Sequence, residues 1–410
     1  MKKLNYCLLT IFLSLLSCKE EQQTVRDKTI IPVAEAVGIG KILNLSDYAK
    51  SVEYIPLQTN DKVMVGDIEE CVYEKGIIIL WDFQNRMCFL FNTKGEFIRQ
   101  VGNKGEGPEE YIAVKGLNVL SEQDLFFLNG YPRRYYFYDL DGNFIKQTAY
   151  PDYPDTYIPW STIALNTSLL FSDLTSPEHL YYRGMFLGDE LEGKHELFMN
   201  YMDREKEKKG GWGGYESAFI WNRKDSVRYF RVLNDTVFSI SPDRKIEKRF
   251  VFDLGTYRIP FSALMNHDRN EKYIRFIFNG IKESSEYLFL NFNFGQHAPE
   301  VFERTSRDKR GKVATRKIKN VYGLFQKSTG ALTLLNQPVK KQLGFKNDLD
   351  GGPCFWPQYI SSDDKMVAWW NAEDFLEIYN QLENPSPELK KIAEKLSPED
   401  NPVLMVVTLK

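Results

Sequence analysis

Three glycines and a proline, Gly102, Gly105, Gly107 and Pro108, fall close together in VGNKGEGPEEYIAVKG (101–116), and glycine-rich turns of this kind are where a chain can cradle phosphate. No Lys-Ser or Lys-Thr follows them, no third dinucleotide-type glycine is present, and Glu106, Glu109 and Glu110 would repel an anion. The stretch reads instead as a crossover between two pieces of sheet, with Gly102, Gly105, Gly107, Pro108, Glu110 and Tyr111 as its structural residues.

Other chemistry-bearing residues are sparse. The histidines, His179, His195, His267 and His297, form neither HExxH nor HxH, so no preformed zinc motif is legible and no metal or cofactor is expected. Asp348-Leu349-Asp350-Gly351-Gly352 starts like a calcium loop, but Tyr359 stands where the bidentate Glu would be needed. No Gly-x-Ser-x-Gly elbow exists. Asp350 followed by Phe355 and Trp356 suits sugar binding, with rings stacking on pyranose faces and a carboxylate accepting from hydroxyls. Arg133, Arg134, Trp160, Trp212 and Trp221 are further candidates for a ligand-facing mouth. Between Arg304 and Lys319 there are eight Lys/Arg against one acid, Asp308, which reads as a solvated hairpin rather than a nucleic-acid patch.

The elements that must carry these residues are strands. The 28 Phe and 23 Tyr recur in short period-two runs bounded by Gly, Asn and Asp. IIILWDFQNRMCFLFNTKGEFIRQVG (77–102) lies on LFFLNGYPRRYYFYDLDGNFIKQTAY (125–150) at an offset of 47, with Phe91 on Tyr138, Gly95 on Gly142 and Phe97 on Phe144. Fainter copies occupy 235–252 and 319–335. A repeat of this length made of about four strands describes a propeller blade, so the expected fold is all-β, a β-propeller. Helical spacing appears only at 372–382 and 386–396, the latter with Ser386 and Pro387 at the positions of a cap and a first-turn proline. Val403 to Leu409 then reads as a strand that closes the ring.

GNKGEGPEEY resembles the G-x-G-P-x-E-Y signature of six-bladed β-propeller lipoproteins, a largely uncharacterised group related to NHL-type propellers. SVEYIPLQT (51–59), NDLDGGPCFWPQ (347–358) and EDNPVLMVVTLK (399–410) are similar to that group's opening strand, late loop and closing strand. Glu109 departs from it, standing where Gly is usual. The resemblance implies six blades and brings no established reaction.

The N-terminus agrees with that resemblance. Lys2 and Lys3 precede an apolar run from Tyr6 to Leu16, too short to span a bilayer, and Leu15-Leu16-Ser17-Cys18 reads as a lipobox. The expected organisation is a signal peptide over 1–17, acyl chains such as palmitate on Cys18, a flexible tether over 18–40, and the propeller over 41–410. Lys19-Glu20-Glu21 is similar to the export signal of lipoproteins that face the cell exterior on the outer membrane. Loss of Lys2 and Lys3 takes the formal charge from −3 to −5, a near-neutral balance that does not indicate a nucleic-acid binder, and none is expected as a partner. Cys71, Cys88 and Cys354 lack the spacing of a disulfide framework; Cys71 and Cys88 read as small buried hydrophobes, with pairing as the alternative.

The expected function is therefore a non-catalytic, surface-anchored propeller that binds a glycan, a peptide or a partner protein at its central opening. Two alternatives stand beside it. One is a polysaccharide lyase or glycoside hydrolase using residues from several blades; the other is a scaffold docked to an outer-membrane transport complex.

Overall fold

The computed structural model describes residues 27–107, 109–131, 134–149, 158–166, 169–175, 182–188, 218–231, 235–260, 263, 271–307 and 313–410. Cys18, Pro108, Arg133, Trp212, His179, His195 and His267 lie outside them.

The repeat seen in the sequence is two successive antiparallel sheets. The first is β4 (Ile68–Glu74), β5 (Ile77–Asp82), β6 (Met87–Asn92) and β7 (Phe97–Val101). The second is β10 (Ala113–Leu120), β11 (Leu125–Tyr131), β12 (Arg134–Asp139) and β13 (Phe144–Ala149). Their third-to-fourth strand turns are built alike. Asn92 and Asp139 each accept, through the side chain, from the backbone N–H four residues on, Glu96 at 3.0 Å and Asn143 at 2.7 Å. Gly95 (φ 82°) and Gly142 (φ 79°) take the left-handed conformation that lets the twisted strands reverse.

The crossover between these sheets is the glycine-rich stretch. Asn103–Lys104 (β8) and Glu110–Tyr111 (β9) pair in parallel, and Glu110 accepts from the Gly107 N–H at 2.9 Å. Tyr111 is fully buried and donates its hydroxyl to the Val101 carbonyl at 2.5 Å. Gly102 sits at φ 65°, where an added Cβ would lie 2.6 Å from the Tyr111 ring, so a side chain there meets both strain and a clash. The glycines serve chain reversal and close packing.

The remaining sheets repeat the arrangement. β14 (Ile158–Ala164), β15 (Leu169–Thr175) and β16 (Tyr182–Gly188) form three strands. β17 (Phe219–Arg223), β18 (Ser226–Phe230), β19 (Thr236–Ile240) and β20 (Ile246–Asp253) form the next sheet. β21 (Arg275–Glu283), β22 (Tyr287–Asn293), β25 (Asn320–Gln326) and β26 (Ala331–Leu335) follow, with a separate hairpin of β23 (Phe302–Arg307) and β24 (Val313–Ile318) inserted between β22 and β25. The last sheet is β27 (Tyr359–Ile360), β28 (Lys365–Trp370), β29 (Val403–Leu409) and β3 (Ala49–Pro56).

In that sheet the C-terminal β29 lies between β28 and the N-terminal β3, in register from Val403↔Pro56 to Thr408↔Ser51. Joining an early strand to the last one in a single sheet ties the circle shut. α2 (Ala372–Tyr379) and α3 (Pro387–Ala393) pack beside it through Phe375 and Leu389 against Val403. The Ser386 side chain accepts from the Leu389 N–H, the expected cap.

Hydrophobic clusters fill the gaps between successive sheets. Phe126 and Tyr138 pack with Leu90 and Trp81, Phe89 and Phe91 with Val367 and Leu404, and Phe289 and Leu324 with Met405 and Phe345. Phe230 and Phe252 meet Phe292, and Phe171 meets Tyr229. These clusters bury sheet faces against their neighbours, and each large side chain so removed from water contributes roughly 1.5–3 kcal/mol. The fold is a β-propeller.

One expected boundary moves. The tether expected over 18–40 ends before Ile30, because β1 (Ile30–Pro32) pairs in parallel with the outer edge of β20, and β2 (Gly40–Lys41) with the outer edge of β26. Ile31 and Val33, the latter in the short α1 (Val33–Ala36), are fully buried. The segment runs across the rims of two sheets before β3 joins a third, covering strand edges that would otherwise stay unpaired. Cys71 and Cys88 are buried free thiols, the first of the two readings. Among the described residues no helix is long and apolar enough to cross a membrane.

Candidate functional site at the centre of the ring

The first strand of each sheet is innermost. β4 approaches β10, β10 approaches β14, then β14 and β17, β17 and β21, β21 and β27, and β27 returns to β4. These strands surround the axis, and the ends of this opening differ.

At the end that carries the first-to-second strand turns, side chains cross the axis. The Asn222 amide on β17 donates to the Val119 carbonyl on β10 at 2.8 Å, past the intervening β14. Arg223 reaches Ser285 Oγ at 2.6 Å and Asp364 at 2.9 Å, the latter in the β27–β28 turn, two sheets away. The Ser285 N–H also donates to Asp364 at 2.9 Å. The β17 sheet therefore touches sheets on both sides beyond its own neighbours, and side chains span this end of the opening.

Between the β17 and β21 sheets lies a buried charge network. Glu283 accepts from Lys327 at 2.7 Å, Trp221 Nε1 at 2.9 Å and Arg228 Nε at 3.1 Å. Burial by itself would raise the Glu283 carboxyl, but Lys327 and Arg228 hold it below the ordinary carboxylate range. On the far side Glu74 accepts from the Tyr359 hydroxyl at 2.7 Å and from both the N–H and hydroxyl of Ser362, joining β4 to the closing sheet.

Above the floor two ionisable groups remain open to solvent although they lie deep in the molecule. Glu70 on β4 accepts from the Leu117 N–H of β10 at 2.7 Å, and is partly exposed. Lys282 on β21, next to buried Glu283, is also partly exposed and feels the Glu70 charge. Burial pushes the Glu70 carboxyl up to about 7, against the pull of the Leu117 N–H and the Lys282 ammonium. Burial likewise lowers Lys282, with Glu70 opposing it. The pair offers a proton-exchanging acid and a cation at the centre of the ring, where a ligand can exchange hydrogen bonds with both.

Of the residues singled out from sequence, those whose side-chain contacts are described make them elsewhere. Arg134 opens β12 and donates to Gln147 of β13 at 2.9 Å. Trp160 lies at a register shift in β14, an innermost strand. Trp221 supports the floor through Glu283. Asp350 Oδ1 is held by the Asn347 amide at 2.6 Å, the Gly352 N–H at 3.0 Å and the Tyr54 hydroxyl at 3.4 Å. Its carbonyl accepts from Ser386 N–H, so the Asp-Gly turn joins α3 to the closing sheet. Trp356 stacks on Tyr322 (centroids 4.4 Å, 12°) and lies against Phe345 and Phe289. An acid beside aromatics matches a sugar site in sequence; here the same residues pack two sheets together. His297 packs edge-on against Tyr257. Among the described residues no three His, Cys, Asp or Glu side chains gather as a metal site.

Glu70 and Lys282 escaped the sequence reading because no motif surrounds them. The available signal was a charge next to fully buried neighbours in a first strand, Glu70 before Cys71 and Lys282 between Ile281 and Glu283.

Comparison with known proteins places the fold more than the chemistry. The chain belongs to the family described as a domain of unknown function, DUF4934, which matches residues 28–408. A solved protein of Bacteroides fragilis whose name calls it exported is 18% identical, with a TM-score of 0.64 over 93% of this chain and 100% of that one. A member of the DUF4221 family from Bacteroides vulgatus is 10% identical, TM-score 0.46, over 88% and 97%. Virginiamycin B lyase from Staphylococcus aureus is 12% identical, TM-score 0.38, over 87% and 99%. No curated protein matches the sequence.

Proposed function

We propose that this member of a family without an assigned activity is a lipid-anchored, six-bladed propeller that binds a glycan or peptide at its central opening without converting it. The blade number rests on the innermost strands. The sheet of β14–β16 has three strands where the others have four or five, yet β14 bridges β10 and β17 and so occupies one blade's place in the circuit. Anchoring rests on Leu15-Leu16-Ser17-Cys18, and location on the exterior face of the outer membrane rests on Lys19-Glu20-Glu21. Two or more acyl chains on Cys18 suffice for stable anchoring.

One observation carries the binding role: Glu70 and Lys282 stay partly solvated at the centre, above a floor spanned by Asn222–Val119 and Arg223–Asp364. A tunnel crossed at one end by side chains is a pit, and a pit with partly exposed ionisable groups suits capture. The test is a thermal-shift screen of oligosaccharides and short peptides against the full chain, with Lys282→Met and Glu70→Gln beside it. Hits that both variants lose, recovered intact by mass spectrometry, support the reading. Hits recovered as cleaved products move the site to a lyase or hydrolase. Hits indifferent to both variants take ligand binding away from the centre, and co-purification with a transport complex without any hit favours a scaffold.

A further inference from the structure

The β23–β24 hairpin has no part in the pit or its floor. It forms a two-stranded sheet of its own, paired from Phe302↔Ile318 to Arg307↔Val313. Alternation divides its described side chains between two faces. On one, Glu303 stands directly opposite Lys317, an arrangement that neutralises itself. On the other, Arg304 stands directly opposite Arg316.

Like charges facing each other across a ladder destabilise it, so the arginine pair does nothing for the hairpin. Both side chains are exposed, and neither has an ion-pair partner among the described residues. Burial raises the Tyr322 hydroxyl on β25, and the Arg304 charge opposes that rise, so Arg304 lies near enough to Tyr322 to act on it. Tyr322 in turn stacks on Trp356. The arginine pair therefore shares one face of the hairpin, with Arg304 near Tyr322, whose ring is partly exposed.

We propose that the Arg304–Arg316 face of this hairpin is a docking surface for an acidic polysaccharide. Two guanidinium forks side by side match the planar, bidentate geometry of carboxylate or sulfate groups. The partly exposed Tyr322 ring supplies an apolar flank for a sugar ring. The hairpin joins the second and third strands of its sheet, so it stands at the opposite end of the ring from the floor, on the side of the mouth. The assignment is independent of what the pit binds.

The experiment uses the full chain and four probes: fluorescent oligogalacturonide, a sulfated glycan, neutral dextran and single-stranded DNA. Oligogalacturonide or the sulfated glycan is expected to bind, the stronger of the two naming the acidic group, with affinity falling as salt rises. Arg304→Ser with Arg316→Ser should lower that affinity about tenfold or more, while Lys317→Ser on the other face changes it less than about twofold. Arg316→Glu gives Arg304 an opposite charge across the ladder, so it should abolish binding without lowering the melting temperature. Equal binding of dextran, equal binding of DNA, or an acidic-glycan affinity that survives Arg316→Glu in a folded protein would each overturn the proposal. So would retention of anionic vesicles but of no acidic glycan.

Discussion

The Asn222 amide lies 2.8 Å from the Val119 carbonyl, although a whole sheet separates their strands around the ring. Such a bond exists only where innermost strands converge on the axis, and it marks the end at which side chains span the opening. Asn222→Ala strands the Val119 carbonyl and should cost roughly 0.5–1.5 kcal/mol in urea unfolding.

Glu283 is the acceptor for three donors drawn from the β17 and β21 sheets. Replacing it by Ala leaves Arg228 and Lys327 buried without their counter-charge. A loss of about 3–5 kcal/mol is expected from chemical denaturation, with Glu283→Leu no better because the cations remain. A loss under about 1 kcal/mol would mean that water reaches the network.

Glu70 makes stability depend on pH. Its folded pKa, about 7, is above the ordinary 4.5. Between those values the folded state holds a proton that the unfolded state has lost. The stabilising contribution of Glu70 is thus full below about pH 4.5 and is lost as pH rises to about 7. Glu70→Gln keeps an acceptor for the Leu117 N–H and has no charge to bury. It should therefore gain on the parent protein as pH rises from 5 to 8, by roughly 1–3 kcal/mol in unfolding free energy. Parallel pH profiles would count against a carboxyl raised by burial.

The strap before β3 behaves as core. Ile31→Ala opens a hole among Phe252, Leu254 and Val33 and should cost about 2–5 kcal/mol, read from the thermal or denaturant midpoint. Removing the residues before Gly40 should destabilise the chain as well, which a mere tether would not do.

Trp356 and Asp350 also test structure rather than binding. Trp356→Ala removes an indole packed against Tyr322, Phe345 and Phe289, at an expected cost of about 3–5 kcal/mol. Asp350→Ala leaves the Asn347 amide and Gly352 N–H without their acceptor and should lower the melting temperature too.

Much of the fold was legible because its signals are local. The Gly95 and Gly142 turns repeat residue for residue, and period-two aromatics mark the strands between them. Val403 to Leu409 followed a helix-breaking Asn-Pro, so the closing strand could be placed. The strap could not be seen, because Ile30–Pro32 is too short to show a period and is held by pairing to residues more than 200 positions away. The centre was hidden for the same reason. Glu70, Leu117 and Lys282 come from three innermost strands far apart in the chain, and no spacing rule connects them. Loop motifs drew attention to Asp350 and Trp356 instead, where an acid and a ring serve packing as well as they would serve a sugar.

The central claim is that the middle of the ring is a solvent-filled pit holding Lys282. Lys282→Cys in a Cys354→Ser background, treated with a small methanethiosulfonate reagent under native conditions, tests it most directly. The account predicts labelling within about a factor of ten of a surface control such as Lys94→Cys, with the buried Cys71 and Cys88 unmodified. A thiol at position 282 that reacts only after unfolding would show a packed interior with no pit, and would contradict the account.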